Sequence, residues 1–356
     1  MKIAVYTIAK NEAQFIQRWA DSARDADLLV LADTGSTDET VEVARQAGIH
    51  RIEVITVSPW RFDDARNAAL SLIPADIDMC IALDADEILV DGWREHLENV
   101  PTGTTRPRYK YTWSWNEDGS EGLTYGGDKI HARHGYRWKH PVHEVITSSL
   151  GFEEVQHWCG LEIHHHPDHT KSRGQYFNLL EWAVKETPND DRNAYYLGRE
   201  YFFHRRFDSA ASELRRYLDL PSAVWKPERS AAKRLLAKCE PENAEHWLIE
   251  ASVESPDRRE PWVELGQFYY QKGRWQDAYD AVMTALEITE KPLEYLCDAE
   301  SWGHIPHDIA AIASYHLDDP TCIKHGLKAL EFSPGDERLE QNVVFYLGKF
   351  SDTPKT

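Results

Sequence analysis

Cysteine is scarce and scattered: Cys80, Cys159, Cys239, Cys297 and Cys322 form an odd set with no C-x-x-C pair. That excludes a disulfide framework or a zinc site and suits a reducing compartment. Long apolar runs are missing too, with nothing near the roughly 18 residues of a membrane span. The opening Met1–Lys10 has too short an apolar run for a signal peptide and reads as a first strand. A soluble, cytoplasmic protein without transmembrane segments is expected. Positive charge is also in deficit, 40 Lys and Arg against 60 Asp and Glu, for a formal −20. This argues against general affinity for nucleic acid or anionic membrane unless a local basic patch overrides it. What remains, 42% apolar and 28% charged residues over 356, is globular and long enough for two domains.

The first hundred residues alternate strand and helix. Strands are expected at Ile3–Ile8, Leu28–Ala32, Arg51–Val57 and Met79–Leu83, with helices over Asn11–Ala26, after Asp38 to Ala47, and over Asp63–Ser71. This order with apolar strands predicts a parallel sheet covered by helices on both faces. Ligands in such sheets bind beyond the carboxyl ends of the strands. Asn11-Glu12, Asp33–Asp38, Trp60–Asp64 and Asp84–Glu87 all fall there. From Thr105 to about His166 the pattern changes to short strands rich in Trp, Tyr, Arg and His, read as an antiparallel extension that shapes an acceptor pocket.

After Asp168 the chain reads as helical, with an internal repeat. Trp262-x2-Leu265-Gly266-x2-Tyr269, followed by Ala278 and Ala285, has the tetratricopeptide pattern. Leu197-Gly198-x2-Tyr201 with Ala210 repeats it 68 residues upstream, two periods of 34. A degenerate unit opens at Ala232, and a fourth lies around Ala310, Cys322 and Ala329 after an insertion of about ten residues. Small residues recur because paired helices approach closely there. The expected division is 1–170 and 171–356.

Chemistry concentrates in a few strings. Asp84-Ala85-Asp86-Glu87 follows a buried strand, and carboxylates two residues apart repel unless a cation lies between them. Such hard ligands suit Mg²⁺ or Mn²⁺ shared with a diphosphate; the bland alternative is an acidic cap on a helix near Asp91. Asp33 ends a strand and can meet a base or ribose, whereas Thr37 or Asp38 suits a helix cap. Arg66, near a helix start, suits a phosphate or a surface ion pair to Asp63 or Asp64. Arg106, Arg108, Lys110, Trp113, Trp115, Arg133, Arg137, Trp138 and Lys139 interleave cations with aromatics, as an anionic acceptor, a diphosphate or a buried sheet would use. Glu144 and Asp128 are the candidate general bases. His164 and His166 share one face of a strand, where either can complete a metal site.

Together, Thr7-x3-Asn11-Glu12, Asp33-x-Gly-Ser-Thr-Asp38, Phe62-x3-Arg66-Asn67 and Asp84-Ala-Asp86-Glu87 resemble the inverting family-2 glycosyltransferases of the GT-A fold. His143-Glu144, the histidine-rich strand, Lys171-Ser-Arg173 and the repeats resemble the subgroup with a tetratricopeptide tail. The fold implied is a Rossmann-like α/β nucleotide-diphospho-sugar domain followed by an all-α repeat domain. The resemblance implies a UDP-sugar donor, with glucose the default, and Mn²⁺ or Mg²⁺. It implies that Thr7, Asn11, Glu12 and Asp38 lie in the donor site, Asp33 on the uracil, Asp84 on the ribose and Asp86 on the metal. Arg66, with Lys171 or Arg173, would steady the leaving diphosphate. A single sugar would pass with inversion to an acceptor hydroxyl or thiol, the proton going to Glu144 or Asp128.

The rival readings are a tetratricopeptide binding scaffold with a degenerate sugar-nucleotide domain, and a nucleotidyltransferase. Intact Asp33, Asp84 and Asp86 oppose the first. The absence of a glycine-rich basic loop after the first strand opposes the second. The acceptor stays open among a protein or peptide, a phosphorylated saccharide and a modified nucleic-acid base. Homodimerisation through the repeats is a further expectation.

Overall fold

The computed structural model describes residues 1–168 and 175–350. Two compact units emerge: Met1–Glu186 with Leu293–Tyr295, and Thr187–Pro292 with the residues from Leu296 onward. The first unit thus runs past the expected 170/171 division and takes in the helix Gln175–Glu186. Leu180 and Ala183 of that helix are fully buried, Arg61 lies over the Trp182 ring at 5.0 Å, and Arg61 pairs with Glu186 at 2.9 Å.

The first unit opens with β1 (Ile3–Ala9), α1 (Ala13–Ser22), β2 (Leu28–Asp33), α2 (Thr40–Gln46), β3 (Arg51–Val54), α3 (Phe62–Ser71) and β4 (Met79–Ala82). It continues with β5 (Glu87–Leu89), α4 (Trp93–Glu98), β6 (Arg106–Thr112), β7 (Thr124–Gly127), β8 (Ile130–Ala132), β9 (Tyr136–Lys139), β10 (Val145–Ser148), β11 (Gln156–His165) and α5 (Gln175–Glu186). The main sheet has the order β3-β2-β1-β4-β8; its first four strands are parallel and β8 is antiparallel to β4. All of β4 is buried, as its apolar run requires of a strand with neighbours on both sides. Helix α1 buries Ile16, Trp19 and Ala20, the i, i+3, i+4 stripe of an amphipathic helix. The Trp19 indole donates to the Leu83 carbonyl at 3.0 Å and fixes the point where β4 gives way to the acidic string.

A second sheet has the order β5-β11-β6-β7. β5 and β7 run antiparallel to their neighbours, but β6 and β11 are parallel. The expected antiparallel extension therefore contains one parallel pair, closed by the long connection between residues 113 and 155. β9 and β10 form a separate hairpin.

The second unit is helical. Its pairs are α6 (Asp191–Phe203) with α7 (Phe207–Asp219), α8 (Lys226–Cys239) with α9 (Ala244–Glu254), and α10 (Arg259–Gln271) with α11 (Trp275–Glu287). After a short α12 (Ala299–Trp302) come α13 (Ile305–His316), α14 (Thr321–Phe332) and α15 (Glu337–Phe350). Helix packing explains the repeat: a Cβ on Gly198 would stand 2.8 Å from Leu214, and one on Gly266 would stand 2.5 Å from Val282. Ala210, Ala232, Ala278, Ala285, Ala310, Cys322 and Ala329 are all fully buried. No helix among the described residues is long and apolar enough to cross a membrane.

Candidate active site

The turns after β1 and β2 are knitted to each other. Asn11, at a positive φ of 56°, accepts the Thr37 N–H at 2.8 Å, while its own N–H donates to the Ser36 hydroxyl at 2.9 Å. The Glu12 N–H donates to the Thr40 hydroxyl at 2.8 Å. Asp38 accepts the Thr40 N–H at 3.0 Å, the Thr40 hydroxyl at 2.5 Å and the Ala13 N–H at 3.3 Å. Burial works to raise the Asp38 carboxyl, but these hydrogen bonds outweigh it and hold it low. Asp33, only 2% exposed, accepts the N–H groups of Gly35 and Ser36, each at 3.1 Å. Thr7 is fully buried, and its hydroxyl donates to the Ile8 carbonyl at 3.2 Å.

Next to this rim, α3 contributes a charge where its periodicity calls for an apolar residue. Arg66 sits in a buried stripe with Ala65, Ala69 and Leu70. Its Nη2 donates to Asp84 Oδ1 at 2.6 Å and its Nε to Glu144 Oε1 at 2.5 Å. The Trp138 ring lies 4.8 Å from the guanidinium, and Asn67 holds that tryptophan through both its backbone groups, at 2.9 and 3.0 Å. The expected alternative partners of Arg66, Asp63 and Asp64, are instead engaged by Arg61, at 2.8 and 3.7 Å. Arg66 Nη1 is buried without a hydrogen bond.

Lys129, just before β8, closes the network, donating to Asp84 Oδ2 at 2.6 Å and to Glu87 Oε1 at 3.0 Å. Glu87 is 1% exposed and also accepts the Tyr111 hydroxyl at 2.6 Å and the Asp84 N–H at 2.8 Å. Burial alone would raise the Asp84 carboxyl, but Arg66 and Lys129 hold it well below the usual carboxylate range. Burial pushes Glu87 up; Lys129 pulls against it, while the neighbouring Asp84 charge adds to the rise. One carboxylate is thus firmly ionised, and the other sits closer to protonation.

Asp86 is the least engaged carboxylate of the string. Its side chain is 29% exposed, and Oδ2 lies 3.3 Å from His165 Nε2. His165 Nδ1 donates to the Trp113 carbonyl at 3.0 Å. Burial opposes protonation of His165, but Asp86 and that carbonyl together raise its pKa. Strand alternation sends His164 and His166 to the other face of β11. The His166 N–H donates to the Asp86 carbonyl at 2.8 Å, and His164 Nε2 stands 3.5 Å from Glu162. The histidine side chain that reaches the Asp86 carboxylate is thus the intervening His165, between the two that the sequence offers as metal ligands.

Asp128 lies apart from this network, held by Arg106 at 3.1 Å. Lys171 and Arg173 lie outside the described residues. Lys129, Tyr111 and His165 were not singled out by the sequence; only Glu87, within the acidic string, was in view. Among the described residues, the side chains gathered closely enough to ligate a metal are Glu121, Glu162 and His164, and the Lys110 ammonium already lies 2.8 and 3.4 Å from the two glutamates. At the acidic string Asp84 and Asp86 are about equally exposed, but both Asp84 oxygens are taken by Arg66 and Lys129, which leaves Asp86 the freer carboxylate. That fits a small hard cation that takes its other ligands from water and a diphosphate.

In parallel α/β sheets ligands bind beyond the carboxyl ends of the strands, and there Arg66 of α3 meets Asp84. Residues 4–100 match the model for Glycosyl transferase family 2, so the chain carries that domain at its N-terminus. It is 24% identical over 315 residues to a TPR repeat-containing protein of Synechococcus elongatus, covering 80% of this chain and 75% of the relative. It is also 32% identical over 110 residues to an uncharacterized glycosyltransferase of Rickettsia felis, covering 30% of this chain and 37% of the relative. That match spans little more than a third of the Rickettsia protein's own length. Among solved structures, the crystal structure of MamA aligns with a TM-score of 0.36 at 16% identity, over 46% of this chain and 89% of that one.

Proposed function

We propose that the first unit transfers one sugar from a nucleotide-diphosphate donor, with UDP-glucose the default, to an acceptor hydroxyl or thiol with inversion. The observation that carries the reading is the ion-paired chain Asp84–Arg66–Glu144 beside the partly exposed Asp86 at the end of β4. The match of residues 4–100 supports it.

Each side chain then has a task. Asp86 would hold Mn²⁺ or Mg²⁺, which supplies positive charge to the departing diphosphate. Arg66 offers its orphaned Nη1 to a phosphate oxygen, the kind of acceptor for which a buried donor gains most. Asp84, kept ionised by two cations, retains lone pairs for a ribose hydroxyl. Asp33, oriented by its own turn, faces the base. Glu144 has one oxygen bound by Arg66, and the other would take the acceptor proton. In the reaction the acceptor O–H or S–H proton passes to Glu144. The acceptor's electron pair attacks the anomeric carbon from the face opposite the donor oxygen. The anomeric C–O bond breaks and its electrons leave with the diphosphate.

Calorimetric titration of the full chain with UDP and UDP-glucose, with Mn²⁺ and again with EDTA, tests this. Metal-dependent binding in the micromolar range, lost in Asp86→Asn at unchanged thermal midpoint, is the expected result. Absence of nucleotide binding in both conditions would hand the chain to the scaffold reading.

A further inference from the structure

The outer face of the second sheet carries a strip that this chemistry leaves unused. Trp158 on β11 is 57% exposed, an unusual position for an indole on a strand. Its Cη2 lies 2.9 Å from where a Cβ on Gly126 would stand, although Gly126 is two strands away on β7. The ring therefore crosses β6, and only glycine at 126 leaves room for it. Arg108 lies alongside, its donors directed to the carbonyls of Gly127 at 3.0 Å and Gly126 at 3.2 Å.

Further along the same face, Lys110 stands between Glu121 and Glu162 at 2.8 and 3.4 Å. Beyond them Trp115 meets His164 edge-on at 4.9 Å and stacks on His166 at 5.6 Å, with the rings within 5° of parallel. The His166 N–H reaches the Asp86 carbonyl at 2.8 Å, so the strip ends beside the candidate metal ligand. From the register of Trp158 with Arg108 to His166 it runs roughly 20 Å at strand spacing.

Three features select the occupant. Lys110 is matched by two carboxylates and Arg108 by carbonyls, so among the described residues neither of these cations of the strip is left over for a phosphate or sulfate. It lies on a sheet face, and where it reaches the edge strand β7 the Gly126 N–H is already taken by the Leu293 carbonyl, so it offers no free backbone donor there to an extended peptide. Aromatic rings at both ends, with alternating charged donors and acceptors between, suit hydroxyls that donate and accept in turn. We propose that this strip is the acceptor track for a neutral saccharide chain, with one pyranose on Trp158, another at Trp115, and the intervening hydroxyls bonded by Lys110, Glu121 and Glu162. The proposal rests on the glycosyl-transfer reading and names its acceptor class.

The full chain, without donor, is applied to an array of neutral, sialylated and phosphorylated glycans from monosaccharide to hexasaccharide. The expected result is retention on the longer neutral chains, weakened at least tenfold by Trp158→Ala and largely restored by Trp158→Phe, with circular dichroism unchanged. Retention on anionic glycans alone, equal retention of parent and Trp158→Ala, or no retention on neutral chains would overturn it. Calorimetric UDP-glucose binding, measured on the same preparations, separates the two readings. A chain that binds donor normally yet fails on the array refutes the track alone, while loss of donor binding refutes the transferase reading.

Discussion

Replacing Arg66 by methionine keeps most of the side-chain volume on the buried face of α3 and removes the charge. The two carboxylates it serves are affected unequally. Asp84 keeps Lys129 at 2.6 Å and has a side chain 28% exposed, whereas Glu144, 12% exposed, loses its ion partner. Removing one member of a buried pair costs roughly 3–5 kcal/mol. Because Asp84 remains paired, Arg66→Met should fall near the lower end, about 3 kcal/mol. Glu144→Gln alone leaves Arg66 bound to Asp84 and should cost about 1–2 kcal/mol. In the double variant no carboxylate is stranded at position 144. Its cost should therefore be less than the sum of the singles by about 1.5–2 kcal/mol. Unfolding of a two-unit chain does not report one free energy, so the assay is hydrogen exchange of peptides covering α3 and β4, read by mass spectrometry. A single-variant cost below about 1 kcal/mol, or strict additivity, would show that the ion pairs do not form a coupled network.

Further expectations follow from the same geometry. Gly266→Val should lower the thermal midpoint of the helical unit, at a cost of about 1–3 kcal/mol, because its Cβ would stand 2.5 Å from Val282; an unchanged midpoint would dispute the close helix contact. Lys129→Met should destabilise the first unit by about 2–3 kcal/mol and be partly rescued by Glu87→Gln, measured by the same exchange experiment; a rescue of zero would uncouple the two. Burial and then the neighbouring His325 lower His307 from 6.5 to about 4. Between those values the unfolded chain binds more protons, so stability contributed above pH 6.5 should drain away as pH falls towards 4. Thermal melts across that range should show a flatter pH profile for His307→Gln, and an equal slope would exonerate the histidine.

The sequence made the strands, the acidic string and the repeat legible because each depends on local periodicity. Small residues at helix crossings repeat at fixed spacing whatever else the chain does. Arg66 stood out by its place beside a helix start, but its partners did not, since Glu144 is 78 residues away and its nearer acids are occupied by Arg61. Lys129 and Tyr111 reach Glu87 only through strand pairing, whose register no local pattern fixes. The histidine run shows the same limit, because a shift of one residue on β11 exchanges the face that meets Asp86. The basic and aromatic segment left an anionic acceptor, a diphosphate and a buried sheet open, because pattern alone does not show that Arg106 pairs with Asp128 and Glu154 or that Arg133 reaches the Ile73 carbonyl.

Membership of Leu293–Tyr295 in the first unit bears on how the chain can be divided. Strand β7 is an edge, and its Gly126 N–H donates to the Leu293 carbonyl at 3.0 Å. Polypeptide made more than a hundred residues after Glu186 thus completes a sheet begun near residue 87. During synthesis that edge waits unpaired until most of the helices have been made, and a chain ended at Glu186 would keep it unpaired. Exposed edges of this kind pair with other molecules. Shortened forms should therefore be prone to self-association unless the 293–295 segment is supplied in trans.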